Sequence, residues 1–394
     1  MTIAAAIESR RAEAPARSRT SRIARIDVIT DVADAETIWR ELETQGLATP
    51  YQRFDLLSAW QLEVGAREGA SPFVVTACDA DGRPLQLLPL VLRHQHGVRV
   101  ATFMGGKHAT FNMALWDKDF VRDATAADLA ALLSGLRANA TADVLALTQQ
   151  PQYWQDCLNP FAMLPKQHSV NDCPVLTMLP GDPPANRISN SFRRRLKSKE
   201  RKLQSPGYRY HRAASDADID RLLNWFFRVK PLRMAEQKLP DVFAEPGVED
   251  FVRQACHAPL AGGRHVIDIH ALECDDEVIA IFAGVADGQR FSMMFNTYTM
   301  SDRARYSPGL ILMRHIIDDC AERGYCALDL GIGSDEYKRQ FCKNDEPIFD
   351  SFIPLSTRGS VAAAAMSGFN RVKRQVKHNH ILLDVAQRLR RIFH

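Results

Sequence analysis

Residues 291–298 read FSMMFNTY, residues 299–308 TMSDRARYSP, residues 309–323 GLILMRHIIDDCAER and residues 324–331 GYCALDLG. An aromatic, apolar run gives way to a polar loop, then to apolar residues at helical spacing, a glycine stop and a second short apolar run. Strand, loop, helix, strand is the order of a crossover, and a crossover joins parallel neighbours in one sheet. The pattern predicts parallel strands at Phe291–Tyr298 and Cys326–Leu330, with a helix at Gly309–Arg323 between them. Ligands in such sheets collect at the carboxyl ends of the parallel strands. Those ends are Thr299–Gly309 and Gly331–Lys338.

Working outward, Ser189–Leu203 reads as a basic helix stopped at Pro206-Gly207, and Tyr208–Arg212 as a strand. Ser215-x-x-Asp218 caps a helix that reaches about Val229, and Val248–Cys256 is a further helix. Val266–Glu273 and Val278–Ala286 flank Asp275-Asp276, and Asp287-Gly288 turns the chain into Phe291, completing an antiparallel meander. Asp335–Phe341 reads as a short helix and Ile348–Pro354 as the last strand of this half.

The preceding residues repeat the order. Arg25–Ile29 is a strand, Asp34–Leu42 and Asp55–Val64 are helices, and Phe73–Cys78 and Leu85–Leu92 form a hairpin about Asp81-Gly82. Val98–Met104 runs into Gly105-Gly106, followed by a helix at Ala126–Ala138 and a strand at Asp143–Leu147. A meander joined to one crossover is a mixed α/β sheet, not a doubly wound one. The order predicts a basic disordered tail at 1–24, an N-terminal domain at 25–180, a C-terminal domain at 181–358 and a basic amphipathic helix at 359–394.

Two stretches can carry chemistry. In Arg303-Ala304-Arg305-Tyr306-Ser307-Pro308-Gly309 the serine can cap the following helix, the proline suits its first turn, and the glycine clears space beside the backbone. Free N–H groups and the positive dipole end make an anion site, to which Arg303 and Arg305 add charge. An ordinary capped helix with solvated arginines is the competing reading. In Leu328-Asp329-Leu330-Gly331-Ile332-Gly333-Ser334-Asp335-Glu336-Tyr337-Lys338, Asp329 either faces the cleft, where a carboxylate can act as general base, or pairs with a neighbouring cation. Tyr337 is either a proton donor or a packing residue.

Phe295-Asn296, Tyr306-Ser307-Pro308-Gly309-Leu310-Ile311-Leu312, Leu328-Asp329-Leu330-Gly331 and Glu336-Tyr337-Lys338-Arg339-x-Phe341 together resemble the CelD/BcsL-type acetyltransferases of the GNAT superfamily, relatives of the FemABX transferases. The resemblance is most specific over Val278–Pro354. It implies tandem GNAT-like domains, the second catalytic and the first degenerate, and acyl transfer from acetyl-CoA or another acyl-CoA to an amine or hydroxyl, with no metal. It puts the CoA pyrophosphate on Arg303, Arg305, Tyr306, Ser307, Pro308 and Gly309. It implies Asp329 as base or orienter, Tyr337 as proton donor, Asn296 at the acyl carbonyl and Lys338 either beside an anionic acceptor or simply solvated. Arg305-x-x-Pro308-Gly309 departs from the common Arg/Gln-x-x-Gly-x-Gly/Ala pattern, because proline replaces an amide donor. An aminoacyl donor of the Fem kind therefore stays open, as does a non-catalytic scaffold. The acceptor implied is a small molecule or a polysaccharide, in the service of exopolysaccharide, cellulose or envelope synthesis.

Composition bounds these readings. The chain has 394 residues, 46% apolar and 25% charged, and no apolar run long enough to cross a bilayer, which excludes disordered and membrane-spanning classes. Eight cysteines with no C-x-x-C pair predict reduced thiols and a cytoplasmic setting. Residues 4–22 have the Ala/Arg/Ser bias of a transit peptide, though a solvated tail is the simpler reading. The net charge of +3 hides an uneven distribution: +4 over 1–25, +7 over 187–203 and +6 over 371–394, with −14 on the remainder. Such segments suit an anionic polymer, a phosphate-bearing ligand or peripheral contact with the inner membrane face. No aromatic stacking platform accompanies them, which speaks against nucleic acid as partner.

Overall fold

A computed structural model describes residues 20–378 apart from 180 and 334. Most of the expected basic tail, and the C-terminal helix beyond residue 378, lie outside the described residues. Two mixed sheets carry the fold. The first contains β1 (Arg25–Ile29), β2 (Ser71–Cys78), β3 (Pro84–Gln95), β4 (Val98–Phe103) and β5 (Val144–Pro151), in that order. The second orders β7 (Arg209–Arg212), β8 (Asp268–Cys274), β9 (Glu277–Ala286), β10 (Arg290–Tyr298) and β11 (Ala327–Asp329) in the same way. Each is an antiparallel meander ending in a parallel pair, β4 with β5 and β10 with β11. Both mixed sheets and the parallel crossover pair match the sequence expectation.

The outer strands do not respect the expected halves. β6 (Cys173–Thr177) crosses over to pair antiparallel with β11, on the far side of which it also meets β12 (Asn344–Glu346). Ile348–Pro354, expected to close the second half, is β13 and pairs antiparallel with β5 of the first sheet. Each sheet thus takes one strand from the other half, so a boundary at residue 180 does not separate them. The apolar residues explain the exchange: Phe349 and Ile353 enter the core of the first sheet, while Phe352 turns to its other face. That face is covered by α9 (Thr357–His378), whose Ala363 packs on Val100, Val144 and Ala146.

The helices that matter here are α1 (Glu36–Gln45), α2 (Phe54–Trp60), α3 (Ala126–Asn139), α4 (Asn190–Glu200), α5 (Asp216–Glu236), α6 (Val248–His257), α7 (Pro308–Glu322) and the short α8 (Lys338–Phe341); short helices at Lys118–Asp123 and Pro184–Arg187 lie in connections. α5 continues through Pro231, seven residues past the Val229 expected from sequence. Packing of Trp225 and Phe226 holds the helix where a proline removes one backbone bond. One apolar core spans both halves, with Leu57 and Trp60 of α2 in the same cluster as Phe226 of α5 and Phe251 of α6. Polar ties cross as well: the Tyr51 hydroxyl donates to the Met293 carbonyl at 3.2 Å, and Arg53 to the Ala286 carbonyl at 2.5 Å. The eight cysteines are free thiols.

Candidate functional site

β10 and β11 stay paired only over Arg290–Ser292 and Ala327–Asp329. Past that point β10 runs on to Tyr298, while the other chain turns away at Gly331 (φ +72°) and Gly333 (φ +116°). A β-bulge opposite Ala283 and Gly284 leaves Met294 without a partner and bends β10 further from its neighbour. Gly284 is required there, since a Cβ would sit 2.3 Å from the Ser292 carbonyl oxygen. The wedge left between the strands is a cavity of about 260 Å³, with Phe282, Asn296 and Tyr298 on its sheet side and Ser307, Gly309 and Tyr337 opposite.

The helix side departs from the expected cap. Ser307 adopts a left-handed conformation (φ 58°, ψ 55°), and its side chain caps nothing. Its carbonyl accepts from Leu310 and Ile311, and its hydroxyl accepts from Lys199 of the basic helix α4 at 2.8 Å. Pro308 has no N–H, and no acid lies in the first turn of α7, so the positive end of that helix opens on the cavity. Arg303 is turned away: Glu277 and Asp275 hold its guanidinium. Arg305 is exposed, lies over the Tyr306 ring at 4.9 Å, and has no acidic partner among the described residues. Of the expected anion-binding group, the structure brings Ser307 and Gly309 to the cavity, leaves Arg305 exposed one residue from Ala304 of its lining, and commits Arg303 elsewhere.

Asn296 and Tyr337 meet in the cavity. Burial pushes the Tyr337 phenol well above its ordinary pKa, Asp335 adds to this, and a hydrogen bond with Asn296 opposes it. The phenol is therefore protonated at neutral pH and available as a donor. Asn296 is fixed through its backbone, whose carbonyl accepts from Lys230 at 3.1 Å, and Arg233 stacks over the Tyr298 ring at 3.5 Å. Arg233 reaches Tyr298 because α5 extends through Pro231.

Two expected residues are corrected. Asp329 is fully buried and does not line the cavity; Arg290 donates to it at 2.8 Å, Ser292 at 2.5 Å and the Gly331 amide at 3.1 Å. Held by these three donors and closed off from the cavity, it pins the parallel strands together and is not placed as a base for an acceptor. Of the two sequence readings, pairing with a cation is the one observed. Lys338 is also buried, and its ammonium donates to the carbonyls of Gly331 and Ile332 at 3.2 and 2.9 Å. It holds the glycine turn in shape and is not placed to meet an anionic acceptor.

Sequence reasoning missed Lys199, Phe282 and Tyr298 as members of the site. The charge of α4 was visible, but nothing in a linear pattern says which loop a helix will touch. Among the described residues His211, Asp218 and Glu273 form a group of metal-ligating type, but Arg209 and Arg221 already occupy its carboxylates.

Residues 190–339 match a family model described as an acetyltransferase (GNAT) domain. No curated protein matches the chain. Among solved structures, FemX superposes with a TM-score of 0.54 at 10% identity, covering 83% of this chain and 97% of its own. The C-terminal domain of a protein assigned as a lysylphosphatidylglycerol synthetase, from Agrobacterium fabrum, gives 0.52 at 11%, covering 86% and 95%. A conserved protein of unknown function from Bacteroides thetaiotaomicron gives 0.51 at 10%, covering 84% and 100%. At such identities the likeness speaks for the fold. Every cavity residue named above falls inside the segment that matches the acetyltransferase (GNAT) domain model.

Proposed function

We propose that the protein transfers an acyl group from acyl-CoA to a hydroxyl or amine of a glycan or envelope acceptor, within the exopolysaccharide or cellulose chemistry that the CelD/BcsL resemblance implies. The observation that carries the reading is convergence: the positive end of α7 and the protonated Tyr337 face one cavity at the parting of β10 and β11. The pyrophosphate lies on Ser307 and Gly309 with Lys199 and Arg305 beside it, and the acyl carbonyl reaches Asn296. The acceptor attacks the thioester carbon directly, and the electron pair of the breaking C–S bond leaves on sulfur. Tyr337 gives that sulfur its proton, and water takes the proton of the acceptor. No side chain among those described stands in the place Asp329 was expected to fill.

Calorimetric titration with acetyl-CoA tests the donor. Saturable binding that weakens about tenfold in a Lys199→Met, Arg305→Ala variant is expected, the size of one or two lost phosphate contacts. Absence of binding to the wild-type chain sinks the reading.

A second reading has its own support. Arg194, Arg195, Lys197, Arg201 and Lys202 are exposed on and just beyond α4 with no acidic partner among the described residues, a wider band of charge than one CoA requires. An aminoacyl-tRNA donor would use it, and transfer from charged tRNA with none from acetyl-CoA would select that reading. Peripheral membrane contact is supported by Phe369 and Val372, exposed beside Arg371 on α9. Cosedimentation with anionic vesicles, lost in Phe369→Ser, checks it.

A further inference from the structure

The first sheet also parts its parallel strands. β4 and β5 pair only over Val100–Thr102 against Val144–Ala146, and a second cavity, of about 460 Å³, opens at their carboxyl ends. Thr102 comes to it from β4, Asn112 from the following loop, Thr148 and Gln149 from β5, Asp350 from β13 and Asn370 from α9. Ile332 closes one side. That residue belongs to the glycine turn that Lys338 ties down next to Tyr337, so one turn of chain borders both cavities.

This space is not built for a second phosphate-bearing donor. α3, the helix between the parallel strands, carries Asp128 in its own first turn and does not reach the cavity. The cations at the rim are largely spoken for: Arg93 is held by Glu68 at 2.5 Å, and Lys107 by Glu245. Asp350 brings a buried negative charge, which accepts from the Gln149 amide at 2.9 Å and from Asn370 at 3.0 Å. Against these stands Lys373 of α9, leaving the wall close to electroneutral.

The wall is instead a set of amides and hydroxyls. One of them is incomplete: Asn112 is 3% exposed, its Nδ2 donates to the Thr148 carbonyl at 3.2 Å, and its Oδ1 has no donor. A buried acceptor left open is costly, and a ligand O–H supplies what it lacks. Alternating donors and acceptors on planar side chains match vicinal hydroxyls, each of which can both give and accept. We propose that the first half binds a neutral carbohydrate in this cavity, with Asn112 accepting from one of its hydroxyls and Gln149 and Asn370 beside it. That the sugar is the acyl acceptor rests on the acyl-transfer reading; that it binds does not.

The full chain is titrated calorimetrically with cellotetraose, maltotetraose, mannotetraose and chitotetraose in turn, and with inorganic phosphate. Saturable binding of at least one sugar is expected, indifferent to added salt and weakened at least about tenfold by Asn112→Leu and by Asn370→Ala. Gln149→Gly, which suits the left-handed backbone at that position (φ 59°), serves if Asn112→Leu fails to fold, as read by circular dichroism. Binding of none of the sugars, binding untouched by the substitutions, or saturable phosphate binding in their place overturns the proposal. Acetyl-CoA titration of the same samples separates the two readings. Sugar binding without acetyl-CoA binding removes the donor assignment and leaves the sugar site, and the converse result does the opposite.

Discussion

The two halves place a helix between parallel strands in the same order, yet begin it in opposite ways. α3 opens with a capping box in which Thr125 and Asp128 satisfy each other, and Asp128 also accepts from the Arg22 amide at 2.7 Å. The anion site at that helix start is filled by the chain's own carboxylate. α7 opens with Pro308-Gly309 and no acid, so its positive end is left to an outside group. The strands differ correspondingly. The last pair before β10 and β11 part is Ser292 and Asp329, locked to Arg290, whereas the corresponding pair between β4 and β5 is Thr102 and Ala146. One topology thus leaves the helix start open in one half, and in the other half closes it and keeps only the opening at the strand ends.

The largest effect is expected where the second half is pinned. Asp329→Ala leaves Arg290, 7% exposed, facing a vacated partner, and only Glu346 remains to it at 2.7 Å. Breaking one side of a buried pair costs about 3–5 kcal/mol, to be read as a lowered urea midpoint. Thr102→Ala, the matching site of the first half, should change it little. If Asp329→Asn kept full stability but lost turnover, the structural role assigned to this residue would be wrong.

Tyr337→Phe comes next. It removes a proton donor and leaves the ring, so kcat should fall about 10²-fold with KM for acetyl-CoA nearly unchanged and stability preserved. An unaltered kcat would show that the thiolate leaves without help from this residue. Asn296→Ala should act on the same cavity with a smaller loss.

How far the sequence reached follows the same division. The crossover was legible because Phe291–Tyr298, the apolar period of α7 and Cys326–Leu330 each announce one element by local pattern, and handedness rules join them. That Ser307, Gly309, Asn296 and Tyr337 line one cavity follows from their places at or just beyond the ends of those elements. Lys338 was misplaced because no spacing shows that a lysine will fold back on the carbonyls of its own glycine turn, and Asp329 for a different reason. Period-two alternation says which face of a strand a residue takes, but not whether that face meets solvent or an arginine from the adjacent strand. Lys199 and Asn112 belong to surfaces assembled from distant segments, and no spacing records them. The exchange of β6 and β13 was invisible because either strand satisfies the alternation of either sheet.

Asp128→Asn sharpens the contrast between the helix starts. Burial works against the carboxylate, but hydrogen bonds from Thr125, the Arg22 amide and Ser21 outweigh it and hold Asp128 below its ordinary pKa. Losing that charge at the helix start should cost about 1 kcal/mol at neutral pH. It should create no acetyl-CoA binding in the first half, because Thr125 still closes the amides. Stoichiometry measured by calorimetry should stay at a single site, and a second site would mean that one carboxylate alone had silenced that half.

The smallest expected effect concerns acid. Glu200 of α4 sits where that helix meets α7; burial would raise its pKa, but hydrogen bonds with His315 and Tyr208 and the charge of Arg314 outweigh this and bring it to about 2. A carboxylate depressed on folding stabilises the chain above its unfolded value and loses that contribution as pH falls through the folded one. The window therefore runs from the ordinary Glu value of 4.5 down to about 2. In the first half Asp143 is held low first of all by the Arg99 guanidinium, with Ser356 assisting, so the contact that anchors α9 weakens in a window below the ordinary Asp value. Glu200→Gln should flatten part of the acid-side fall in stability, by about 1 kcal/mol since solvent screens part of the network. Asp143→Asn should flatten a different part, at lower pH. Urea midpoints measured from pH 5 to pH 2 separate the two, and superimposable curves for the variants and wild type would mean that neither carboxylate sets the acid stability of its half.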